Sequence, residues 1–341
     1  MSDFAHRLIA WHKLHGRHDL PWQNTRDPYR IWVSEIMLQQ TQVSAVIPYF
    51  QRFMTRFPDV ASLAAAPIDS VLEHWSGLGY YARARNLHTA AQHIRTQHAG
   101  KFPQVVLDIV ALPGIGRSTA AAIGAFAFGT RGAILDGNVK RVLARCFGIV
   151  GYPGAAAVQD RLWHLADSLL PVTDIEIYTQ ALMDLGATLC TRSKPRCVAC
   201  PMQLQCNAHQ TQRTLELPTT KPKAAVPQRE TVMLILQQGG EVLLEKRPSV
   251  GIWGGLWSFP EVERAAILDT QLSTRFSAQA QRVQALAPLA HSFTHYRLDI
   301  YPLRVEVAPP LQTKPGQIWL SLEDARGAAI PTPVRKLLDR L

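Results

Sequence analysis

Cys190-x6-Cys197-x2-Cys200-x5-Cys206 places four thiols within one short stretch of the 341-residue chain. Four thiolates from a single loop suit either an iron–sulfur cluster or zinc. Structural zinc usually draws on two separated Cys-x2-Cys pairs, and this loop, 190–206, has one. The spacing therefore favours one [4Fe–4S] cluster with Cys190, Cys197, Cys200 and Cys206 as ligands. Arg192, Lys194 and Arg196 fall between the first two ligands. Braced by a cluster, they would face phosphates; otherwise they form a solvated basic loop. The fifth cysteine, Cys146, sits in a helical run and reads as core. Such crowding argues against a disulfide framework and for a reducing compartment.

Two carboxylates form the second chemical signal. In Ser34-Glu-Ile-Met-Leu-Gln-Gln-Thr-Gln42, Ser34 is expected to cap a helix, with Glu35 in its first turn among Ile31, Trp32, Ile36 and Met37. Apolar surroundings raise a carboxyl pKa and keep it as an acid. In Leu135-Asp-Gly-Asn-Val-Lys-Arg141, Asp136 is expected at the start of another helix, ionised. Each has an ordinary reading as well, a first-turn glutamate and a capping aspartate. One acid and one carboxylate are also what N-glycosidic cleavage needs. The acid protonates the leaving base and the carboxylate stabilises the oxocarbenium-like sugar.

The third signal is Leu112-Pro-Gly-Ile-Gly-Arg-Ser-Thr119 between helical runs at 105–111 and 118–128. Gly114 and Gly116 permit tight turning and leave N–H groups bare at a helix start, where an anion is favoured. This reads as a helix–hairpin–helix grip on a DNA phosphate, which carries no sequence information. An ordinary Pro-Gly turn is the alternative.

The elements that must position these residues follow from periodicity. Helical spacing recurs at 31–46, 71–75, 82–94, 139–147 and 162–170. Three prolines and two lysines in Pro218-Thr-Thr-Lys-Pro-Lys-Ala-Ala-Val-Pro227 mark a linker. Strand-like sequence follows at 231–237 and 241–245 around a Gln-Gly-Gly turn, then at 295–307, with a short helix near 334–341. The expected plan is a multi-domain chain: an all-α domain at 1–217, a linker at 218–228, and an α+β domain at 229–341. The net charge is +10, and residues 1–223 carry 23 Lys and Arg against 15 Asp and Glu. A basic first domain suits a polyanion. Neither a signal peptide nor a span of about 18 apolar residues is present, so a cytoplasmic, nucleoid-associated protein without membrane contact is expected.

Taken together, these residues resemble the helix–hairpin–helix superfamily of DNA glycosylases, and within it the MutY family of adenine glycosylases. The resemblance rests on Leu20-Pro-Trp-Gln, Trp32-Val-Ser-Glu-Ile-Met-Leu-Gln-Gln-Thr-Gln-Val43, Gly77-Leu-Gly-Tyr-Tyr-Ala-Arg-Ala-Arg-Asn86, the hairpin, Leu135-Asp-Gly-Asn-Val-Lys-Arg-Val142 and the cysteine loop. It implies a monomer that binds duplex DNA containing adenine opposite 8-oxoguanine or guanine. Glu35 would protonate adenine N7 and position water, Asp136 would stabilise the sugar cation, and Asn138 would orient that chemistry. Gln40, Thr41 and Tyr80 would probe the duplex beside the flipped nucleotide. Trp22 and Gln180 match positions near the adenine pocket; for Trp22 and Tyr80 simple core packing is the other reading.

Ser118 departs from the endonuclease III type, which has a nucleophilic lysine there. A lysine forms a Schiff base and then cuts the strand, and a serine cannot. A monofunctional glycosylase with little or no lyase activity is expected. In the C-terminal part, the resemblance to a Nudix-like domain is looser. Phe293-Thr-His295 matches a loop that reads 8-oxoguanine, with Thr294 keeping the hydroxyl of the family's usual serine. Gly254-Gly-Leu-Trp-Ser-Phe-Pro260 looks Nudix-like, yet no acidic magnesium-binding run follows it. That disfavours a nucleotide pyrophosphohydrolase. Ser118 and the second domain disfavour a pyrimidine-damage lyase, and the two carboxylates disfavour a non-enzymatic DNA-binding scaffold.

Overall fold

The computed structural model describes residues 2–221, 226–263, 268–308 and 313–341. Its contacts group the chain into two compact units, Met1–Ala65 with Asn86–Lys223, and Ala66–Arg85 with Ala224–Leu341. Among the described residues, no helix is long and apolar enough to cross a membrane.

The first unit is helical. The expected runs at 105–111, 118–128 and 139–147 coincide, to within two residues, with the helices Val106–Ala111, Arg117–Phe128 and Gly137–Cys146, whereas the helix expected at 162–170 starts earlier, as Ala156–Ser168. Two expectations near Glu35 require correction. Ser34 caps nothing: the helix is Pro28–Leu38, capped by Asp27, whose carboxylate accepts from Tyr29 N at 2.9 Å. Pro28 at the first helical position loses no hydrogen bond there, and this start outcompetes one at Ser34. Ser34 is instead buried, its hydroxyl donating to the Ile31 carbonyl at 2.8 Å. Glu35 consequently stands in the last turn, not the first. The run at 31–46 is also two helices, Pro28–Leu38 and Val43–Arg56, because Gln40 takes a left-handed backbone (φ 58°) between them.

Helix Arg117–Phe128 shows why its sequence is alanine-rich. Ala120, Ala121, Ala122 and Ala125 are buried, and small side chains allow close packing against helix Pro28–Leu38. Gly129 ends it in the left-handed conformation, donating to the Ala125 carbonyl at 3.0 Å. The core of this unit gathers Leu8, Val142, Leu143, Ala181 and Leu182 from helices far apart in sequence.

The second unit is built on a mixed sheet. Its strands are β1 (Gln228–Gln238), β2 (Glu241–Lys246), β3 (Trp257–Ser258), β4 (Glu261–Val262), β5 (Ala280–Ala285), β6 (Leu289–Ser292), β7 (Arg297–Val307) and β8 (Gln317–Ser321). The order is β3-β2-β1-β7-β5, with β4 on β1, β6 on β7 and β8 on β2. The pair β1–β7 is parallel, from Gln228 opposite Arg297 to Gln237 opposite Glu306, and the remaining pairs are antiparallel. Residues 231–237 of β1 are buried without alternation, as expected of a central strand covered on both faces. Gly239 and Gly240, both at positive φ, make the β1–β2 turn. The C-terminal helix is Thr332–Leu338. Of the expected linker, residues 222–225 lie outside the described residues.

Residues 66–85 group with the sheet rather than with the rest of 1–217. Helix Ile68–Trp75 places Ser76, whose hydroxyl donates to the Ile330 carbonyl at 2.8 Å and accepts from Arg335 at 3.2 Å. Arg85 donates to the Gly254 carbonyl at 2.7 Å, and Lys246 pairs with Asp69.

Candidate active site

In the first unit a cavity of about 250 Å³ is lined by Glu35, Trp22, Gln180, His12, Arg17 and Ile31, among others. Helix Pro28–Leu38 delivers Glu35 from its last turn, between the buried Ser34 and Ile36. Burial pushes the Glu35 carboxyl up to about 8, and the Asp136 carboxylate adds to that shift. The apolar setting expected from Trp32, Ile36 and Met37 is present, all three being buried. Trp22 is buried edge-on against Phe50, with ring centroids 5.4 Å apart, so it both packs in the core and faces the cavity.

Asp136 is the N-cap of helix Gly137–Cys146, accepting from Val139 N at 2.7 Å. Burial raises its pKa, while the Val139 and Asn138 amides, Arg141 and Lys140 oppose that rise and favour the anion. Asn138 holds its side-chain oxygen on Arg141 at 2.8 Å, and Arg141 also donates to the carbonyls of Gly186 and Cys190. Ser118, at the start of helix Arg117–Phe128, accepts from Leu135 N at 2.9 Å. Its hydroxyl therefore braces the residue before Asp136, a role that spacing alone did not suggest.

Of the two hairpin glycines, Gly114 is required by its backbone, whereas Gly116 has ordinary extended backbone at φ −93°. Gly114 sits at φ 80°, and a Cβ there would lie 2.8 Å from the Cβ of Asn86. Gly116, the N-cap, is exposed and has nothing within 4 Å of where a Cβ would stand. The helix start is open to an incoming anion.

The four cysteines line one cavity, together with Arg145, Leu189 and His209. Arg145 is buried and donates to Cys190 Sγ at 3.3 Å and to the Thr191 carbonyl at 2.7 Å. Thiols spread around a common space, with a buried guanidinium beside them, fit an anionic multi-iron cluster. Arg192 and Lys194 are exposed, while Arg196 is turned back onto the Thr188 carbonyl at 2.8 Å. Cys146 is buried core, as its helical position implies.

Gln40 is exposed and Thr41, half-buried beside it, donates to the Gln39 carbonyl at 3.3 Å. In the second unit Tyr80 is 45% exposed and, like Gln40, has a left-handed backbone, with φ 50°. Such a conformation is costly for a tyrosine and persists only where surroundings impose it. The turn around it is tied by Trp75 Nε1 donating to the Gly79 carbonyl at 3.1 Å and Tyr81 accepting from Gly77 N at 3.1 Å. Also in this unit, Phe293 packs between Trp253, His291 and Tyr296, with centroids 4.6–5.3 Å apart. Phe293 N donates to the Tyr296 carbonyl at 2.9 Å, closing a turn whose tip residues Thr294 and His295 are exposed.

Sequence reasoning missed Asp184, Arg17 and His12 around the cavity. Asp184 and Gln180 share a helix face at four-residue spacing, which was legible; Arg17 is 167 residues away and was not.

Residues 33–167 match the helix–hairpin–helix base excision DNA repair superfamily, and residues 231–340 match the NUDIX domain. The chain is 36% identical to the adenine DNA glycosylase of Buchnera aphidicola subsp. Baizongia pistaciae, covering 99% of this chain and 96% of the relative. It is 34% identical to the adenine DNA glycosylase of Rattus norvegicus, covering 99% and 77%. Among solved structures, a thermostable thymine-DNA glycosylase aligns with a TM-score of 0.56 at 30% identity, covering 61% of this chain and 95% of that one.

Proposed function

The chain belongs to the adenine DNA glycosylase family, and from that premise we propose that it hydrolyses the N-glycosidic bond of adenine opposite 8-oxoguanine or guanine in duplex DNA. It does so as a cytoplasmic, nucleoid-associated monomer without strand cleavage. Residues 1–217 carry the catalysis, and residues 229–341 read the opposite base. The carrying observation is a cavity-lining glutamate raised to about 8 beside a capping aspartate. At neutral pH Glu35 is then an acid, able to give its proton to adenine N7 as the glycosidic bond breaks. The departing base leaves positive charge on the sugar. Asp136, held toward its ionised form by two backbone amides and Arg141, is suited to stabilise that charge. Glu35, now a carboxylate, accepts a proton from the attacking water.

The hairpin start at Gly116 suits a phosphate, Gln40 suits insertion beside the extruded nucleotide, and Tyr80, in the second unit, suits stacking on the duplex. Thr294 and His295 suit hydrogen bonding to 8-oxoguanine. Family members usually carry a [4Fe–4S] cluster, and Cys190, Cys197, Cys200 and Cys206 are the residues that would hold one here. The group would fix the loop's shape and present Arg192 and Lys194 at the surface. Iron with acid-labile sulfide in the purified protein would support this; zinc would refute it.

Base release from duplexes with adenine opposite 8-oxoguanine, guanine and thymine tests the reading. Release opposite the first two, with an intact abasic strand, is expected; strand cleavage by the wild type would overturn the monofunctional assignment. Ser118→Lys should create a borohydride-trappable adduct, since the amine would stand beside the residue preceding Asp136.

A further inference from the structure

We propose that Asp184 is a positioning residue that sets which purine the cavity accepts, by fixing the polarity of the Gln180 amide. This rests on the reading that the cavity receives adenine.

Asp184 is buried and is not among the cavity-lining residues, yet three lining residues, His12, Arg17 and Gln180, converge on it. Its Oδ1 accepts from Arg17 Nη2 at 2.6 Å, Arg17 Nε at 2.9 Å and Gln180 Nε2 at 2.8 Å. Its Oδ2 accepts from Arg17 N at 2.8 Å and lies 3.3 Å from His12 Nε2. An ionised carboxylate only accepts hydrogen bonds, so the Gln180 amide must turn its nitrogen to Asp184. Four-residue spacing on one helix keeps the two side chains on a common face. The remaining polar end of Gln180 is Oε1, which accepts no hydrogen bond among the described residues.

That leaves an acceptor for the base. Adenine offers a 6-amino donor, whereas guanine and hypoxanthine offer a 6-carbonyl acceptor. N7, the atom assigned to Glu35, is common to all three and cannot discriminate. Two acceptors facing each other leave both unsatisfied, which is costly in a buried site. Asp184 thereby converts a symmetric-looking amide into a test for the 6-amino group.

The experiment measures single-turnover release of adenine and of hypoxanthine, each opposite 8-oxoguanine, by the full chain. Asp184→Asn should lower the adenine-to-hypoxanthine rate ratio by about tenfold or more, because asparagine also donates and lets the Gln180 amide reverse. Gln180→Met should lower the ratio similarly, and adding Asp184→Asn to it should leave the ratio unmoved. Equal slowing of both substrates in every background would mean that Asp184 merely supports the fold, and would overturn the proposal. Should Asp184→Asn not fold, Gln180→Met decides alone, an unchanged ratio overturning it. Absence of adenine release by the wild type would overturn the reading of the cavity and this inference together; release with unmoved ratios would overturn this inference only.

Discussion

The cavity around Glu35 and the turn at Phe293–Tyr296 solve opposite problems. Burial, with the Asp136 carboxylate adding to it, raises the Glu35 carboxyl to about 8, which suits the acid role proposed for it. Thr294 and His295 are exposed, with Thr294 Oγ1 3.4 Å from His295 Nδ1, and the base of their turn is anchored by Phe293 among Trp253, His291 and Tyr296. An acid at neutral pH demands a perturbed carboxyl. The proposed reading demands donors and acceptors at the exposed tip of an anchored turn. The first unit supplies helix ends and deep packing, and the second supplies a sheet with strand-end turns.

The sharpest way to break this comparison is at the acid. Glu35→Gln and Asp136→Asn should each slow adenine release about 10²–10⁴-fold in single-turnover assays, equally opposite 8-oxoguanine and guanine. Near-normal rates, or a loss confined to one mispair, would abolish the division of labour. Tyr80→Ala should weaken duplex binding about tenfold by removing a stacking surface, measured by titration at fixed salt. Replacing Thr294 and His295 with alanine should lower the preference for 8-oxoguanine over guanine by roughly five- to tenfold, with release opposite guanine nearly intact. Equal losses on both would place those residues in binding rather than reading.

The pH dependence sharpens the same contrast. On the proposed mechanism, with Glu35 acting protonated and Asp136 ionised, the rate should fall as pH rises through about 8 and the acid limb should lie above the ordinary aspartate range. The smallest effect concerns stability. A carboxyl whose folded pKa is raised stabilises fully below its unfolded value, and that contribution is lost as pH rises through about 8. Glu35→Gln should therefore melt higher than the wild type at pH 8–9 and lose the advantage near pH 4. A variant less stable at pH 8 would show that Glu35 is not held against an ionisation penalty.

Much of this protein was legible in the sequence. The cysteine spacing, the paired glycines of the hairpin and the aspartate capping its helix are local signals. Their physics acts within a few residues, through backbone freedom, capping and ligand geometry, and the helices and central strands follow from periodicity for the same reason. Ser34 and Asp27 both offer cap chemistry, and the helix starts at Asp27, where Pro28 fills the first helical position at no cost in hydrogen bonds.

Tertiary structure alone decided the rest. It buried Glu35 within reach of the Asp136 charge, set Ser118 under the Leu135 backbone, grouped residues 66–85 with the sheet, and joined Arg17 to Asp184 across 167 positions. Burial and long-range electrostatics depend on which surfaces meet. No window of sequence contains that information, although it is what raises the Glu35 carboxyl and turns the Gln180 amide nitrogen onto Asp184.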